Sequence, residues 1–279
     1  MEEGWWSISI LEWITQTLVA ISSGNPVLLA LIMSTIAFTM TTLGATPVLF
    51  VRAKPKSGDN GFLEDLIDIG LGFGSGVMIV ASFTSLLLPA IKGGGIALTI
   101  AGFILGAFIV ALINEIIPHE HIFKGFEGWR EARRKIKAAW LVALAIIIHN
   151  LPEGYSIGIS SAYRDIEGIK VGLAISFQDV PEGLAVALPI LAITGSRLTA
   201  LTIGALSGFS EVIAALLAAL LFTNPNALYL GLASAAGAMI YVVSNEAIPE
   251  SHRSGSEKKA TIGFFLGFIL MLYLDTTLK

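Results

Sequence analysis

The sequence predicts an all-α membrane protein in which eight transmembrane helices form one bundle, preceded by an N-terminal interfacial or peripheral helix. Of the 279 residues, 54% are hydrophobic and only 14% are charged, whereas charged residues make up about a quarter of a soluble domain. The mean hydropathy is +0.79. Apolar stretches of roughly 19 to 27 residues recur along the chain, and about 20 apolar residues in a helix cross the hydrocarbon core of a bilayer.

The first element covers residues 1–25 and is expected to lie at the membrane surface. It begins with two glutamates and lacks the basic region of a signal peptide. Trp5, Trp6 and Trp13 suit the interface, where indole rings concentrate. We therefore treat this segment as separate from the transmembrane domain at 26–279.

Eight apolar stretches follow, at 26–51, 65–90, 96–117, 138–162, 168–194, 198–222, 227–248 and 260–278. The connections between them are short, apart from a loop at about 118–137, so the sequence predicts a single domain. Glycine pairs four residues apart, such as Gly72/Gly76 and Gly154/Gly158, are expected to let helices pack tightly inside this bundle.

The distribution of basic residues predicts the orientation of the bundle. The first, third, fifth and seventh connections contain 13 of the 17 lysines and arginines. Because cytoplasmic loops are enriched in Lys and Arg, these connections are expected in the cytoplasm. Both termini are then extracytoplasmic, and the cell membrane is the expected location.

Composition also excludes several classes of site and partner. The chain has no cysteine, so disulfides and thiolate metal sites are ruled out. The net charge is −4 and no basic tract is interleaved with aromatic residues, so no nucleic-acid partner is expected.

Two related motifs place polar side chains at the expected depth of the hydrocarbon. HNLPEG at 149–154 lies in the fourth stretch, and QDVPEG at 178–183 lies in the fifth. At 100° per residue, His149 and Glu153 lie about 40° apart on one helix face, and Gln178, Asp179 and Glu182 repeat that arc. Both helices therefore present a carboxylate and other polar groups to one interior side.

Further polar groups are expected to face the same interior. Glu211 lies deep in the sixth stretch, and Asp68, Ser75, Met78, Ser82 and Ser85 form a stripe at helical spacing along the second. An ionised side chain at the bilayer centre costs roughly 2.5–3.5 kcal/mol on insertion scales, so four carboxylates cost on the order of 10 kcal/mol.

Bound cations are the compensation that this residue set favours. Imidazole, amide and carboxylate groups without thiolates suit Zn²⁺, Fe²⁺, Mn²⁺ or Cd²⁺, and four carboxylates match the charge of two divalent ions. Protonation of the acids remains an alternative, which corresponds to a proton-coupled cation exchanger or channel. An intramembrane metalloprotease is disfavoured, because HNLPE lacks the second histidine of His-Glu-x-x-His.

Two similar helix ends, NEIIPHEH at 114–121 and NEAIPESH at 245–252, are expected at the cytoplasmic surface. Their side chains either form a cytoplasmic-side metal site or act as helix caps and solvated ends. The candidate ligands are Glu115, His119, His121, Glu246, Glu250 and His252.

At these motifs the sequence resembles the ZIP (Zrt/Irt-like) family of divalent-metal transporters, and in particular its GufA-like prokaryotic branch. The resemblance rests on HNLPEG and QDVPEG, and extends to GLGFGSGVM, SGFSE and NEAIPESHR. It implies a transporter rather than an enzyme, with no cofactor, whose cargo is Zn²⁺ and for which Cd²⁺ is a surrogate. An elevator-type movement of the site-bearing helices is also implied, and a homodimer is expected.

The resemblance implies a binuclear site. One metal would be held by His149, Asp179 and Glu182, with Met78 and Gln178 nearby. The neighbouring metal would be held by Asn150, Glu153, Gln178, Asp179 and Glu211, with the motif glutamates able to bridge. Asp68 resembles an entrance carboxylate. Gln178 replaces a histidine found in many eukaryotic members, and this difference weakens a prediction of zinc specificity.

Overall fold

The computed structural model describes residues 5–50, 61–116, 119–121, 125–127, 138–222, 224–252 and 255–278. In chain order, the helices are α1 (Trp5–Ser22), α2 (Pro26–Ala45), α3 (Gly61–Ala81), α4 (Leu88–Ile116), α5 (Ala138–Tyr163), α6 (Asp165–Thr194), α7 (Arg197–Leu221), α8 (Pro225–Val242), α9 (Ile248–Ser251) and α10 (Glu257–Thr277). A 3₁₀ turn at Thr46–Leu49 follows α2. Two π-helical turns, Ser82–Leu87 and Val243–Ala247, join α3 to α4 and α8 to α9.

Local sequence signals explain several helix ends. The side chain of Asn25 accepts hydrogen bonds from the backbone N–H groups of Val27 and Leu28, and Pro26 occupies the first helical position of α2, where its missing N–H costs nothing. Ser196 caps α7 in the same way. Gly195 ends α6 with φ 67°, a left-handed conformation that glycine adopts without steric cost.

The expected helical membrane fold is confirmed. Among the described residues, six helical segments are long and apolar enough to cross a membrane. One of them, Ile67–Ile116, is 50 residues long and is interrupted at Gly95 (φ 77°, ψ 164°), between the predicted stretches 65–90 and 96–117. The predicted stretch at 138–162 corresponds to α5. Eight membrane crossings, and an interfacial position for α1, stay predictions.

One element was not anticipated. Strands β1 (His119–His121) and β2 (Gly125–Glu127) pair antiparallel, with His119 opposite Glu127. The hairpin lies in the predicted loop at 118–137, and β1 packs against α5. The rest of that loop lies outside the described residues.

The helices pack in two sets. Helices α2, α5, α6 and α7 pack on one another, and we call them the four-helix block. Outside the block, α3 packs mainly on α10, and α4 packs mainly on α8. The core divides accordingly: one cluster of buried side chains joins α2, α5, α6 and α7, with Met33, Ile157 and Ile175 at its centre. The polar residues of the two motifs lie on the block, and Met78 lies on α3, which packs on α6 of the block.

Candidate metal site

The first motif lies in the middle of α5. Asn150 and Glu153 are buried, and the side chain of His149 is 15% exposed. Helix α5 continues through Pro152 without a break. The three polar side chains of this motif therefore project from one uninterrupted helix.

The second motif lies on α6, which packs beside α5. Gln178, Asp179 and Glu182 are all buried. The Gln178 Nε2 group donates a hydrogen bond to Glu153 Oε1, so the two motifs contact each other directly. The resulting cluster is polar and is enclosed by apolar helices.

Helix α7 adds the third carboxylate. Glu211 is fully buried, and its Oε1 accepts a hydrogen bond of 2.8 Å from Asn150 Nδ2. Gly154 makes this contact possible, since a Cβ atom at this position would lie 2.3 Å from the backbone oxygen of Glu211. Only glycine allows α5 and α7 to approach this closely.

These residues form two groups of possible metal ligands. The first comprises His149, Glu153 and Glu182, and the second comprises Glu153, Asp179 and Glu211; within each group the ligand atoms lie within 4.8 Å of one another. Glu153 therefore belongs to both. The family resemblance implied Asp179 at both metal positions, whereas here Asp179 belongs only to the group with Glu211, and Glu153 takes its place beside His149.

Several buried oxygens in and beside the two groups have no hydrogen-bond donor among the described residues. They are Asn150 Oδ1, Glu153 Oε2, Gln178 Oε1, both carboxylate oxygens of Asp179, and Glu211 Oε2. A buried acceptor without a partner costs about 1–3 kcal/mol. Because Asn150 and Gln178 use their N–H groups on carboxylates, their carbonyl oxygens stay available to a cation. The cluster thus has the chemistry of a divalent-cation site.

Met78 reaches the same region from α3. It is buried, and its Cε atom and Gln178 Cδ each lie 3.9 Å from the point where a Cβ at Gly74 would be. The thioether therefore lies beside the second motif, in the neighbourhood that the family resemblance implied for it. Ser75 and Ser82, from the same stripe, donate to backbone carbonyls of their own helix.

The structure changes the interpretation of Glu246. We expected it at the cytoplasmic surface with Glu250 and His252, but it is buried in the second π-helical turn, with one carboxylate oxygen 3.5 Å from His149 Nδ1. Its other oxygen accepts a hydrogen bond of 2.7 Å from Asn114 Nδ2. The π-helical turn contains an extra residue, which rotates the side chains relative to a regular helix.

The other proposed cytoplasmic ligands differ in their surroundings. His252 Nδ1 contacts the Ile248 carbonyl at 3.0 Å and Ser251 Oγ at 2.9 Å, as a helix-end cap does. Glu250 is half-buried in α9, and Glu115 is exposed near the end of α4. His119 and His121 lie on β1, but their side chains are outside the described part of the chain.

Asp68 lies away from the ligand cluster, and its entrance role stays a prediction. It is buried on α3, ten residues before Met78, which corresponds to about 15 Å along the helix. It lies toward the helix end at which Asp65 contacts Ser256 and Lys259. In the orientation that the basic residues predict, this end of α3 would be the cytoplasmic one.

Thr41 is a neighbour of the site that the sequence did not reveal. It lies on α2, fully buried, with its hydroxyl 3.5 Å from Glu211 Oε1 and 3.1 Å from the Ala37 carbonyl. Helix α2 carries no acidic, basic or histidine side chain, so nothing in its sequence distinguishes Thr41 from the nearby threonines. Its role follows only from the packing of α2 against α7.

Fold and site together define a class: a multi-pass helical membrane protein with a buried cluster of metal-type ligands shared by three helices. Comparison with known proteins agrees. The family model described as ZIP Zinc transporter matches residues 127–275. The chain therefore belongs to the ZIP family, as its motifs predicted, and the family consists of transporters rather than enzymes.

Relatives match most of the chain. It is 39% identical over 259 residues to zinc transporter GufA of Myxococcus xanthus, covering 89% of this chain and 98% of the relative. It is 38% identical over 255 residues to zinc transporter ZIPB of Bordetella bronchiseptica, covering 86% of this chain and 78% of the relative. Zinc transporter ZupT of Corynebacterium glutamicum is 34% identical over 240 residues, covering 79% of this chain and 89% of the relative.

Proposed function

We propose that this protein carries Zn²⁺ across the cell membrane into the cytoplasm through a binuclear site. The observation that carries the proposal is the pair of ligand groups that share Glu153. Glu153, Asp179, Glu182 and Glu211 offer four negative charges, which two divalent ions balance. The relatives named as zinc transporters support the same cargo.

The ligand types favour zinc and its chemical neighbours. One imidazole, several carboxylates and amide oxygens suit Zn²⁺, Fe²⁺ and Mn²⁺, and the nearby Met78 thioether also suits the softer Cd²⁺. We therefore propose Zn²⁺ as the main cargo, with Cd²⁺ as a surrogate and Fe²⁺ and Mn²⁺ as competitors. The site prefers the ion for which binding these ligands best offsets the loss of its bound water.

We further propose that the four-helix block moves as one body against the remaining helices. Backbone-to-backbone contacts at glycine support this division. Inside the block they occur at Gly154 and Gly183, and outside it they occur at Gly237 and Gly263. Between α3 and α6, in contrast, Gly70 and Gly74 face the side chains of Pro181 and Gln178. An interface formed by side chains against a glycine groove is suited to sliding.

Glu246 is proposed as the next ligand on the path of the ion to the cytoplasm. It contacts His149 and belongs to the helix pair outside the block. An ion leaving the site can thus exchange block ligands for Glu246. We also propose that the protein works as a homodimer with both termini extracytoplasmic.

Uptake into proteoliposomes tests the function. Wild-type protein is expected to accumulate ⁶⁵Zn²⁺ in a saturable way, with competition by Cd²⁺. Glu182→Gln should reduce uptake by roughly 10- to 100-fold or more. Loss of a group that only hydrogen-bonds to a metal ligand already lowers metal affinity by that factor, and Glu182 is itself a proposed ligand. Asp65→Asn is the matched control, since it removes a carboxylate that pairs with Lys259 away from the site. Equal uptake by wild type and Glu182→Gln would refute the proposal.

A proton-coupled exchanger or channel is the second candidate. The buried oxygens without donors are satisfied by protons as well as by metal ions. Metal content distinguishes the metal carrier from the proton-coupled protein. After brief dialysis against zinc, a binuclear carrier retains up to two divalent ions per chain, whereas a proton relay retains none. Zinc-dependent uptake with no stoichiometric zinc would favour the exchanger.

A further inference from the structure

A buried basic side chain lies outside the metal site on α6. Lys170 is 5% exposed, and its Nζ atom lies 3.3 Å from Glu167 Oε1 and 3.5 Å from Asp275 Oδ1. It precedes Gln178 by eight residues, or about 12 Å along the helix. Burying a lysine with a buried and a half-buried carboxylate is costly, so the cluster requires an explanation.

The two carboxylates belong to different sets of helices. Glu167 lies one turn before Lys170 on α6, inside the four-helix block. Asp275 lies near the end of α10, which packs on α3 outside the block. The Lys170–Asp275 ion pair therefore crosses the boundary at which the block is proposed to slide.

A second contact crosses the same boundary at the site itself. His149 of α5 lies 3.5 Å from Glu246 of the π-helical turn after α8. In the predicted orientation, Lys170 lies on the extracytoplasmic side of the metal ligands and Glu246 on the cytoplasmic side. The block is thus in contact with a carboxylate of its surroundings at two different depths.

We infer that Lys170 and Asp275 position the four-helix block against α10, and that Glu167 accompanies Lys170 when this contact opens. Because Glu167 is on the same helix as Lys170, the ammonium group keeps one carboxylate partner in every position of the block. Asp275 is the partner that is exchanged. The two carboxylates that contact one lysine therefore have opposite effects: Asp275 holds the block in place, and Glu167 lowers the cost of releasing it.

The inference rests on the proposed movement of the block, and a distance measurement tests it separately from transport. The chain has no cysteine, so Lys92→Cys on α4 and Arg164→Cys beside α6, both exposed, can be spin-labelled as a pair. Double electron–electron resonance in zinc-containing nanodiscs then measures the distance between the two labels. This distance reports the position of the block relative to α4. Zinc uptake is measured on the same variants.

We expect Asp275→Asn to decrease the population at the wild-type distance and to change turnover about threefold or more, as for side chains that bias a two-state element. Glu167→Gln should instead increase that population and slow turnover. Asp275→Glu, which keeps the charge, should resemble wild type. Asp65→Asn, which breaks an ion pair between α3 and α10, should leave the distances unchanged.

Two results would overturn the inference. One is an Asp275→Asn distance distribution and turnover equal to those of wild type. The other is the same shift in Asp275→Asn and Glu167→Gln, which would indicate general loosening rather than opposed roles. If wild-type protein shows no zinc uptake at all, the proposed function fails instead, whatever the distances show.

Discussion

At the scale of single residues, Glu153 has a position that no other acid in the site shares, because it belongs to both ligand groups. One of its oxygens accepts from Gln178, and the other has no donor among the described residues. A bridging carboxylate lowers the repulsion between two nearby cations, since it places negative charge between them. In the proposed binuclear site, Glu153 would therefore couple occupancy of the two positions.

This coupling predicts different outcomes for two substitutions of the same type. Glu211→Gln should weaken one metal position and leave the group of His149 and Glu182 able to bind one ion. Glu153→Gln should weaken both positions, with a loss of affinity of roughly 10- to 100-fold or more at each. Isothermal titration calorimetry with Zn²⁺, with metal content measured on the same samples, checks the stoichiometry.

Circular dichroism and melting temperature serve as controls, because both substitutions keep the size of the side chain and its ability to accept a hydrogen bond. Loss of both ions in Glu211→Gln, or retention of two ions in Glu153→Gln, would contradict a shared ligand.

The sequence predicted the site residues that recur in a motif and failed for those brought in by packing. His149, Asn150 and Glu153 could be placed with Gln178, Asp179 and Glu182 because the same spacing occurs on consecutive helices. Thr41 could not, because its contact with Glu211 joins residues 170 positions apart. Glu246 was placed at the surface because its motif ends the seventh apolar stretch, and the π-helical turn leaves no clear signal in the sequence.

At the scale of helices, apolar length predicted the elements well, and their irregularities poorly. The predicted stretches at 138–162 and 198–222 nearly coincide with α5 and α7. The break at Gly95 fell between two predicted stretches, since GGG ends the run of large apolar residues. Which helices pack together was not predictable, because every apolar helix has faces that suit several partners.

The groove on α3 leads to a prediction at this scale. A Cβ atom at Gly70 would lie 2.2 Å from Pro181 Cβ, whereas one at Gly74 would lie 3.5 Å from Gln178 Cβ, an ordinary contact. Gly70→Ala should therefore separate α3 from α6 and lower zinc uptake several-fold, since overpacking costs typically 1–3 kcal/mol. Gly74→Ala, one turn away, should retain uptake. Proteoliposome transport of both variants checks this.

A melting temperature separates a sliding defect from misfolding. Gly72→Ala provides the comparison, because its Cβ would lie 2.1 Å from the Ala260 backbone oxygen, in the contact between α3 and α10. We expect Gly72→Ala to be the least stable of the three. Equal uptake by Gly70→Ala and Gly74→Ala would show that this part of α3 does not limit movement of the block.

At the scale of the whole molecule, the arrangement of charge is the basis for the proposed inward direction of transport. The basic residues are concentrated in alternate connections, and the acids are enclosed by the helices. Between them, the contact of His149 with Glu246 points toward the cytoplasmic side of the predicted orientation, and Lys170 lies on the other side. A carrier that brings cations inward needs this asymmetry, because the ion must find successive ligands toward the cytoplasm.

Labelling of single cysteines tests the orientation on which this direction depends. Lys92→Cys and Lys258→Cys each place a thiol at an exposed position of the otherwise cysteine-free chain. A membrane-impermeant maleimide applied to intact cells should label the Lys92→Cys variant and spare the Lys258→Cys variant. After permeabilisation, both should react.

Each variant removes only one of the 17 lysines and arginines, so most of the charge that orients the protein stays in place. The two variants can therefore serve as controls for each other. Reversed labelling would place Lys170 and Asp275 on the cytoplasmic side and Glu246 on the outer side. The ligand groups around Glu153 would be unaffected, but Glu246 would then receive the incoming ion, and the inward direction of transport would lose its structural basis.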